Sequence, residues 1–191
     1  MRIKHGFLKE LFMLTLIALC TANVFSQEMA VESTIMHKYK RDQQGLYEWN
    51  GSFVYDQGTM LSPKEHRELK SFLQNLYDTT GIQFAVMTVY ILDGKPNVHE
   101  YAEQHFKKWK MDQNGDKNVI LVVASNAISE VEVITSDGAK DILTKKLCNK
   151  IFSKVYDNAF IDKHRGEGIT NTVKNMVGIL TNDDSLVTIK K

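Results

Sequence analysis

Four oxygen-bearing side chains alternate with other residues in Asp112-Gln-Asn-Gly-Asp-Lys-Asn118: Asp112, Asn114, Asp116 and Asn118. Hard cations such as calcium take several oxygen ligands, and a curling loop turns every second side chain toward one centre. The spacing matches positions 1, 3, 5 and 7 of an EF-hand loop, and there the match stops. Lys117 stands where that loop needs glycine, and Val123 where it needs a bidentate glutamate, so an EF-hand is excluded. Two readings remain: a cation-holding loop at the entry of a strand, or a turn made of good turn-formers, Asn114-Gly115 included.

Asp56 divides in the same way. It closes the strand-like run Ser52-Phe-Val-Tyr-Asp56 and precedes the loop Gln57-Gly-Thr-Met-Leu61. Strand ends are where α/β sheets gather ligands, whereas Asp in a turn before a helix commonly bonds backbone groups instead. Asp137-Gly138 carries the same two readings. The expected metal-ligand set is Asp56, Asp112, Asp116 and Asn118 around a divalent cation, with calcium foremost, and no catalytic residue is assigned.

Other chemistry finds less support. Cys148 lies beside Leu147 and Ile151 on the inner side of an expected helix, which makes it a buried, inert thiol. The histidines show no zinc spacing, and His99 and His105, six apart on one helix, point to different faces. There is no HExxH, no GxSxG elbow and no glycine-rich phosphate loop.

The elements that must position these residues are legible from periodicity. Ser62-Pro-Lys-Glu65 starts a helix with an N-cap, a proline at its first position and a capping box. Leu69, Phe72, Leu73, Leu76 and Tyr77 form its apolar stripe, and Gly81 ends it. Ile82–Leu92 reads as a strand covered on both faces. A second helix is expected over Val98–Met111, with Tyr101, Ala102, His105, Phe106 and Trp109 inward. Asn118–Ala124 reads as a second buried strand, joined by a short link to an alternating strand over Ser129–Thr135, hence an antiparallel hairpin. One long helix is expected from Ala139 to Phe160, with Ile142, Leu143, Leu147, Ile151 and Val155 on its apolar side, and a last helix over Gly166–Leu180. The residues after Asn182 read as frayed. This order gives an α/β class and an α/β/α sandwich with a mixed, mostly buried sheet.

At 191 residues the chain holds one domain with a full core. Its 24 basic and 23 acidic residues are balanced and form no basic stripe, which argues against nucleic-acid binding. Arg2, Lys4 and Lys9 precede the apolar run Leu11–Leu19, with small and polar residues through Ser26. That pattern is an export signal with cleavage after Ser26. The run is short of the ~20 residues of a membrane span, and Leu19 before Cys20 is too bulky for a lipoprotein signal. Cleavage takes away three bases and one acid and turns the formal charge from +1 to −1. The mature chain, residues 27–191, keeps Cys148 alone, so it is held by its core and not by a disulfide. Residues 27–50 read as a polar arm pinned at its end by Tyr47 and Trp49, residues 51–182 as the domain, and 183–191 as a tail. The expected setting is periplasmic or secreted.

The ordered set Phe53-Val-Tyr-Asp56, Leu61-Ser62, Gly81-Ile-Gln-Phe-Ala-Val-Met-Thr-Val89, Tyr101-Ala, Phe106-Lys-Lys-Trp109, Asp116-Lys-Asn-Val-Ile-Leu-Val-Val-Ala124, Phe160 and Gly168-Ile169 resembles the TPM domain family, over about residues 53–180. The resemblance implies an α/β/α sandwich in an extracytoplasmic space. It also implies a divalent-cation pocket of strand-end acids, and either acid phosphatase activity or a role as an assembly or repair partner. Asp56 matches the family's Asp before the Leu-Ser helix start, and Asp116 and Asn118 its Asp-Asn pair. The chain departs from the pattern in three places. It lacks the glycine of the family's Asp-Asn-Gly, lacks the hairpin's basic residue around Ile128-Ser129, and reads Thr144-Lys145 where members carry Thr-Asp. A lysine beside pocket acids repels a cation or neutralises them. Two functions follow as expectations: a domain that binds an envelope or membrane-protein partner, with a structural cation, or a hydrolase whose bound ion activates water on a phosphate ester.

Overall fold

Ser62 and Glu65 begin the first helix by satisfying each other. The Ser62 hydroxyl accepts from Glu65 N at 3.3 Å, and the Glu65 carboxylate accepts from Ser62 N at 2.7 Å, the reciprocal cap the residue types call for. In this computed structural model, which describes residues 40–111, 113, 118–156 and 164–188, helix α1 runs over Pro63–Thr80. Gly81 ends it in the left-handed conformation, at φ 71°, and returns its N–H to the Tyr77 carbonyl, the usual glycine stop. Leu69, Leu73 and Leu76 are buried along its inner face, each contributing about 1.5–3 kcal/mol of transfer free energy.

The strands are β1 (Val54–Asp56), β2 (Gln83–Val89), β3 (Val119–Ser125) and β4 (Glu130–Thr135), lying in that order across one sheet. β1, β2 and β3 are parallel, and β4 returns antiparallel to β3 as the hairpin requires. β2 and β3 are buried at every position, in keeping with strands covered on both faces. Helix α2 spans Val98–Lys108, capped by the Asn97 side chain on Glu100 N at 2.8 Å.

Side chains alternate across the sheet, so register assigns the two faces. Val54, Phe84, Val86, Ile120, Val122 and Ala124 share a core with Leu69 and Leu73 of α1. Tyr55 points the other way and meets Trp109, just past α2, at 4.7 Å between ring centroids. Helices α1 and α2 therefore cover opposite faces. Both crossovers step the same way across the sheet, so the β1-α1-β2 and β2-α2-β3 units are of opposite hand. A parallel crossover of the uncommon hand is rare.

The expected long helix over 139–160 is corrected over 139–156, residues 157–160 lying outside the described ones. A short α3 (Asp137–Lys140) is followed by a break, then α4 (Lys145–Ile151), then a π-helical turn over Phe152–Tyr156. Thr144 restarts the chain as an N-cap, its hydroxyl accepting from Leu147 N at 3.3 Å. The apolar periodicity runs through this break. Leu143 is buried, but Ile142, expected inward, is 43% exposed.

Helix α5 spans Arg165–Thr181. The described residues after Asn182, expected to fray, instead include a 3₁₀ turn over Asp184–Leu186. Thr188 is tied back to α5, its N–H reaching Asn175 Oδ1 at 2.8 Å. Gly178 makes the room, because a Cβ there would stand 2.7 Å from the Asp183 carbonyl and 2.9 Å from Leu186 Cβ. Gly178→Ala is expected to detach this turn and lower stability by about 1–3 kcal/mol, read as a fall in the thermal midpoint.

Candidate functional site

The three parallel strands finish on one rim, at Asp56, Val89 and Ser125. There the loops after β1 and β2 part toward opposite faces, the geometry that opens a ligand crevice in α/β sheets. Here the chain fills that position itself. Gln57 N and Gly58 N both donate to the Thr88 carbonyl at 3.0 Å, and Gly58 N also reaches Thr88 Oγ1 at 3.0 Å. A Cβ on Gly58 would meet Thr88 Oγ1, Val89 C and Val89 N, each at 3.0 Å. Only glycine lets the backbone lie this close. Gly58→Ala is expected to lift the loop off β2 and lower stability by about 1–3 kcal/mol, visible as a lower urea midpoint.

Asp56 is the post around which this loop turns. Its side chain is buried. Oδ1 accepts from Met60 N at 2.9 Å and from the Thr88 hydroxyl, and Oδ2 accepts from Leu61 N at 3.1 Å. The carboxylate is used on backbone and hydroxyl donors in the turn before α1, the second of the two roles its position allowed.

The sheet separates Asp56 from Asn118. Asp56 pairs with Thr88, which pairs with Ala124, while Asn118 precedes Val119 and its carbonyl accepts from Gln83 N at 3.0 Å. Six residues of extended strand lie between the two levels, roughly 20 Å. The common rim expected for the four candidate ligands is therefore not formed by these two, since a parallel strand is entered at one edge of the sheet and left at the other. Asp112 and Asp116 lie outside the described residues. Among the described residues, no three His, Cys, Asp or Glu side chains converge as a metal site.

Beside the Asp56 loop, an open cavity of about 520 Å³ is lined by Thr59, Met60, Glu65, His164, Arg165, Gly166 and Glu167. The N-terminus of α5 faces it, and helix N-termini attract anions. Glu65 already supplies one: its Oε2 lies 2.4 Å from the point a Gly166 Cβ would occupy. The carboxylate that caps α1 thus also lies against the first turn of α5, where the helix dipole favours it. Arg165 Nη1 donates to Asn126 Oδ1 at 2.6 Å, and Asn126 Nδ2 donates to the Gly58 carbonyl at 3.2 Å. This chain of bonds ties α5, the β3–β4 hairpin and the Asp56 loop into one rim. Thr88, Asn126 and Arg165 carry no signal in the sequence, because their partners lie tens of residues away. Cys148 is buried, and burial pushes its thiol up to about 11, in line with an inert side chain.

An apolar trio flanks the same rim. Tyr90 is 62%, Ile91 54% and Ile128 46% exposed. Tyr90 and Ile91 lie beyond the end of β2, not within it as the apolar run suggested, and the Tyr90 carbonyl accepts from Ala127 N at 3.2 Å.

A three-layer α/β domain with a mixed sheet and a self-filled strand-end rim is the class these observations define. The TPM domain family model matches residues 54–179, and the chain belongs to that family. Among solved structures, it is similar to the N-terminal domain of a protein from P. gingivalis, at 21% identity and a TM-score of 0.63, covering 71% of this chain and 84% of that one. It is also similar to the BA42 protein from the psychrophilic bacterium Bizionia argentinensis, at 14% identity and a TM-score of 0.54, covering 69% and 86%. Both likenesses bear on the fold alone. No curated protein matches the chain.

Proposed function

We propose that this chain is an exported TPM domain that binds a protein partner through the C-terminal rim of its sheet. The observation that carries this reading is the exposed trio Tyr90, Ile91 and Ile128, held beside the Asn126–Arg165 bond. Tyrosine and apolar anchors ringed by polar groups are how protein interfaces concentrate their affinity. The setting follows from the basic and apolar N-terminal pattern, with a periplasmic or secreted domain cut after Ser26. The partner is then an envelope protein or the exposed part of a membrane protein.

The mature chain carrying Tyr90→Ser with Ile128→Ser is expected to keep its thermal midpoint and lose a partner captured from envelope extract by at least about tenfold, the equivalent of about 1.4 kcal/mol. Equal capture by the two proteins, or no specific partner for either, sinks the reading.

A divalent cation, calcium foremost, belongs to the proposal as a guest of the loop before β3, with Asp112, Asp116 and Asn118 as its ligands. Alternating oxygen donors support it. Asp56 is left out because the sheet holds it at the far edge. Calorimetric titration of calcium into the mature chain should give saturable heat that Asp112→Ala with Asp116→Ala abolishes. A flat titration of the parent chain removes the ion from the reading.

The cavity beside Arg165 supports a second reading, a phosphatase-like hydrolase, in which a phosphate ester displaces the Glu65 carboxylate from the α5 N-terminus and meets the Arg165 guanidinium. Turnover of a generic phosphomonoester that vanishes in Arg165→Ala would favour it over partner binding. Absence of turnover with and without metal would remove it.

A further inference from the structure

The segment ahead of β1 lies across α2 as a strap, and its attachments converge on one buried imidazole. His105 is fully buried. Its Nε2 accepts from Tyr47 N at 3.0 Å, and its Nδ1 stands 2.9 Å from the Tyr101 carbonyl. This pattern requires the neutral ring with the hydrogen on Nδ1. Around that bond Trp109 Nε1 donates to the Tyr47 carbonyl at 2.7 Å, and Lys108 Nζ donates to the Leu46 carbonyl at 3.1 Å. Lys108 also pairs with Asp42 and, at 2.9 Å, with Glu48, while Arg41 reaches Asp93 at 2.7 Å and the Tyr47 hydroxyl.

We propose that the strap over residues 41–49 is an acid-released latch: protonation of His105 removes the acceptor of the Tyr47 N–H and frees the strap from α2 while the α/β core stays folded. An imidazolium has two N–H donors and no acceptor, so it faces the Tyr47 N–H with a like dipole in a dry site. The groups around the ring reinforce the direction. Burial, with lesser contributions from Lys108 and Arg41, holds His105 down to about 4, against the ordinary 6.5, and the Tyr101 carbonyl and Asp42 only partly offset this. Lys108 holds Asp42 below its usual range, so that carboxylate also loses its grip only as acid is added. Tyr47, Tyr101, Glu48 and Asp93 complete the surroundings.

The sign follows from linkage. The attached strap keeps His105 neutral, whereas a detached strap lets it take a proton below 6.5. The attached form is fully favoured above that value. Its ratio to the detached form falls about tenfold per pH unit on the way down to the folded value. The core shared by α1, α4, α5 and the sheet is built from apolar side chains on the other face of the sheet, with the Asp56 carboxylate buried at its edge and bonded to Met60 N, Leu61 N and the Thr88 hydroxyl. Asn50, bonded to the Tyr55 hydroxyl at 2.8 Å, marks the inner end of the strap.

Both tryptophans of the chain, Trp49 and Trp109, sit in this corner with centroids 5.0 Å apart, so intrinsic fluorescence reports the strap. The mature chain is titrated from neutral to acid pH while fluorescence and far-ultraviolet circular dichroism are followed together. The expected result is a fluorescence transition between about pH 6 and 4 with helix content unchanged until lower pH. His105→Gln keeps an acceptor for the Tyr47 N–H and takes no proton, and is expected to move the transition down by more than about one pH unit. Coincident loss of both signals in the parent chain overturns the proposal, as does an unshifted midpoint in His105→Gln. Should that variant already be open at neutral pH, the His105 ring resonance of the parent decides. A ring that titrates near its ordinary value with fluorescence unchanged overturns the latch, and one that stays neutral until the fluorescence moves supports it.

Discussion

Asp56→Ala is expected to lower stability by about 3–5 kcal/mol, equally in calcium and in chelator. The substitution leaves Met60 N, Leu61 N and the Thr88 hydroxyl without their acceptor, and each buried donor so orphaned costs about 1–3 kcal/mol. Local relaxation lets some reach water, so the sum falls short of three full penalties. Asp56→Asn keeps an acceptor on one side but turns an amide toward Leu61 N, and should lose about 1–3 kcal/mol. Urea titrations of the mature chain with and without the ion separate this role from a metal-binding one. If Asp56 were a ligand, the deficit would be large only with the ion present. A loss below about 1 kcal/mol in both conditions would mean that the Asp56 loop finds its turn without the carboxylate.

Trp109→Ala is expected to cost a comparable 3–5 kcal/mol, roughly the price of deleting a large buried aromatic. Trp109 packs against Trp49 at 5.0 Å and Tyr55 at 4.7 Å between centroids, and edge-on to His105 at 5.4 Å. It also gives its Nε1–H to the Tyr47 carbonyl. Trp109→Phe retains most of the ring contact and removes that donor, so about 1–2 kcal/mol should be lost. The two variants thus divide packing from hydrogen bonding at one position, with circular dichroism as the readout because one of the two tryptophan fluorophores is gone. An alanine variant as stable as the parent would show that the aromatic side of the sheet contributes little.

How much of this could be read in the sequence varied with distance along the chain. Helix α1 was legible to the residue because its signals are local: Ser62, Pro63 and Glu65 at the start and Gly81 at the end all act within one turn. The buried strands were equally plain, though the apolar run through Leu92 hid the fact that Tyr90 and Ile91 leave the sheet. The break at Thr144 lost to periodicity. Leu143 and Leu147 keep helical spacing across it, and only the capping habit of threonine argued for a new start. Tyr47 was expected to meet the domain, but its bond to His105 spans fifty-eight positions and has no local signal.

The candidate site was legible as residue types and not as geometry. Asp56 ends one parallel strand and Asn118 precedes another, and that ordering alone puts them at opposite edges. Polar side chains near strand ends share a rim only when they stand at the same end of parallel strands. Asn126 and Arg165 carry the reverse lesson: neither stands in a motif, and their bond is set by the sheet and by the placement of α5.

The opposite hands of the two crossovers carry a consequence for redesign. Two β-α-β units that share β2 yet are mirror-related in path cannot be laid on one another by any rotation. A repeat of a single unit has one hand throughout, so neither of these two units is a structural copy of the other. An engineer wishing to widen it beyond β1 cannot simply graft a repeat of either existing unit and expect both layers to remain covered. The next helix would have to be assigned to a layer by choice of turn, one connection at a time.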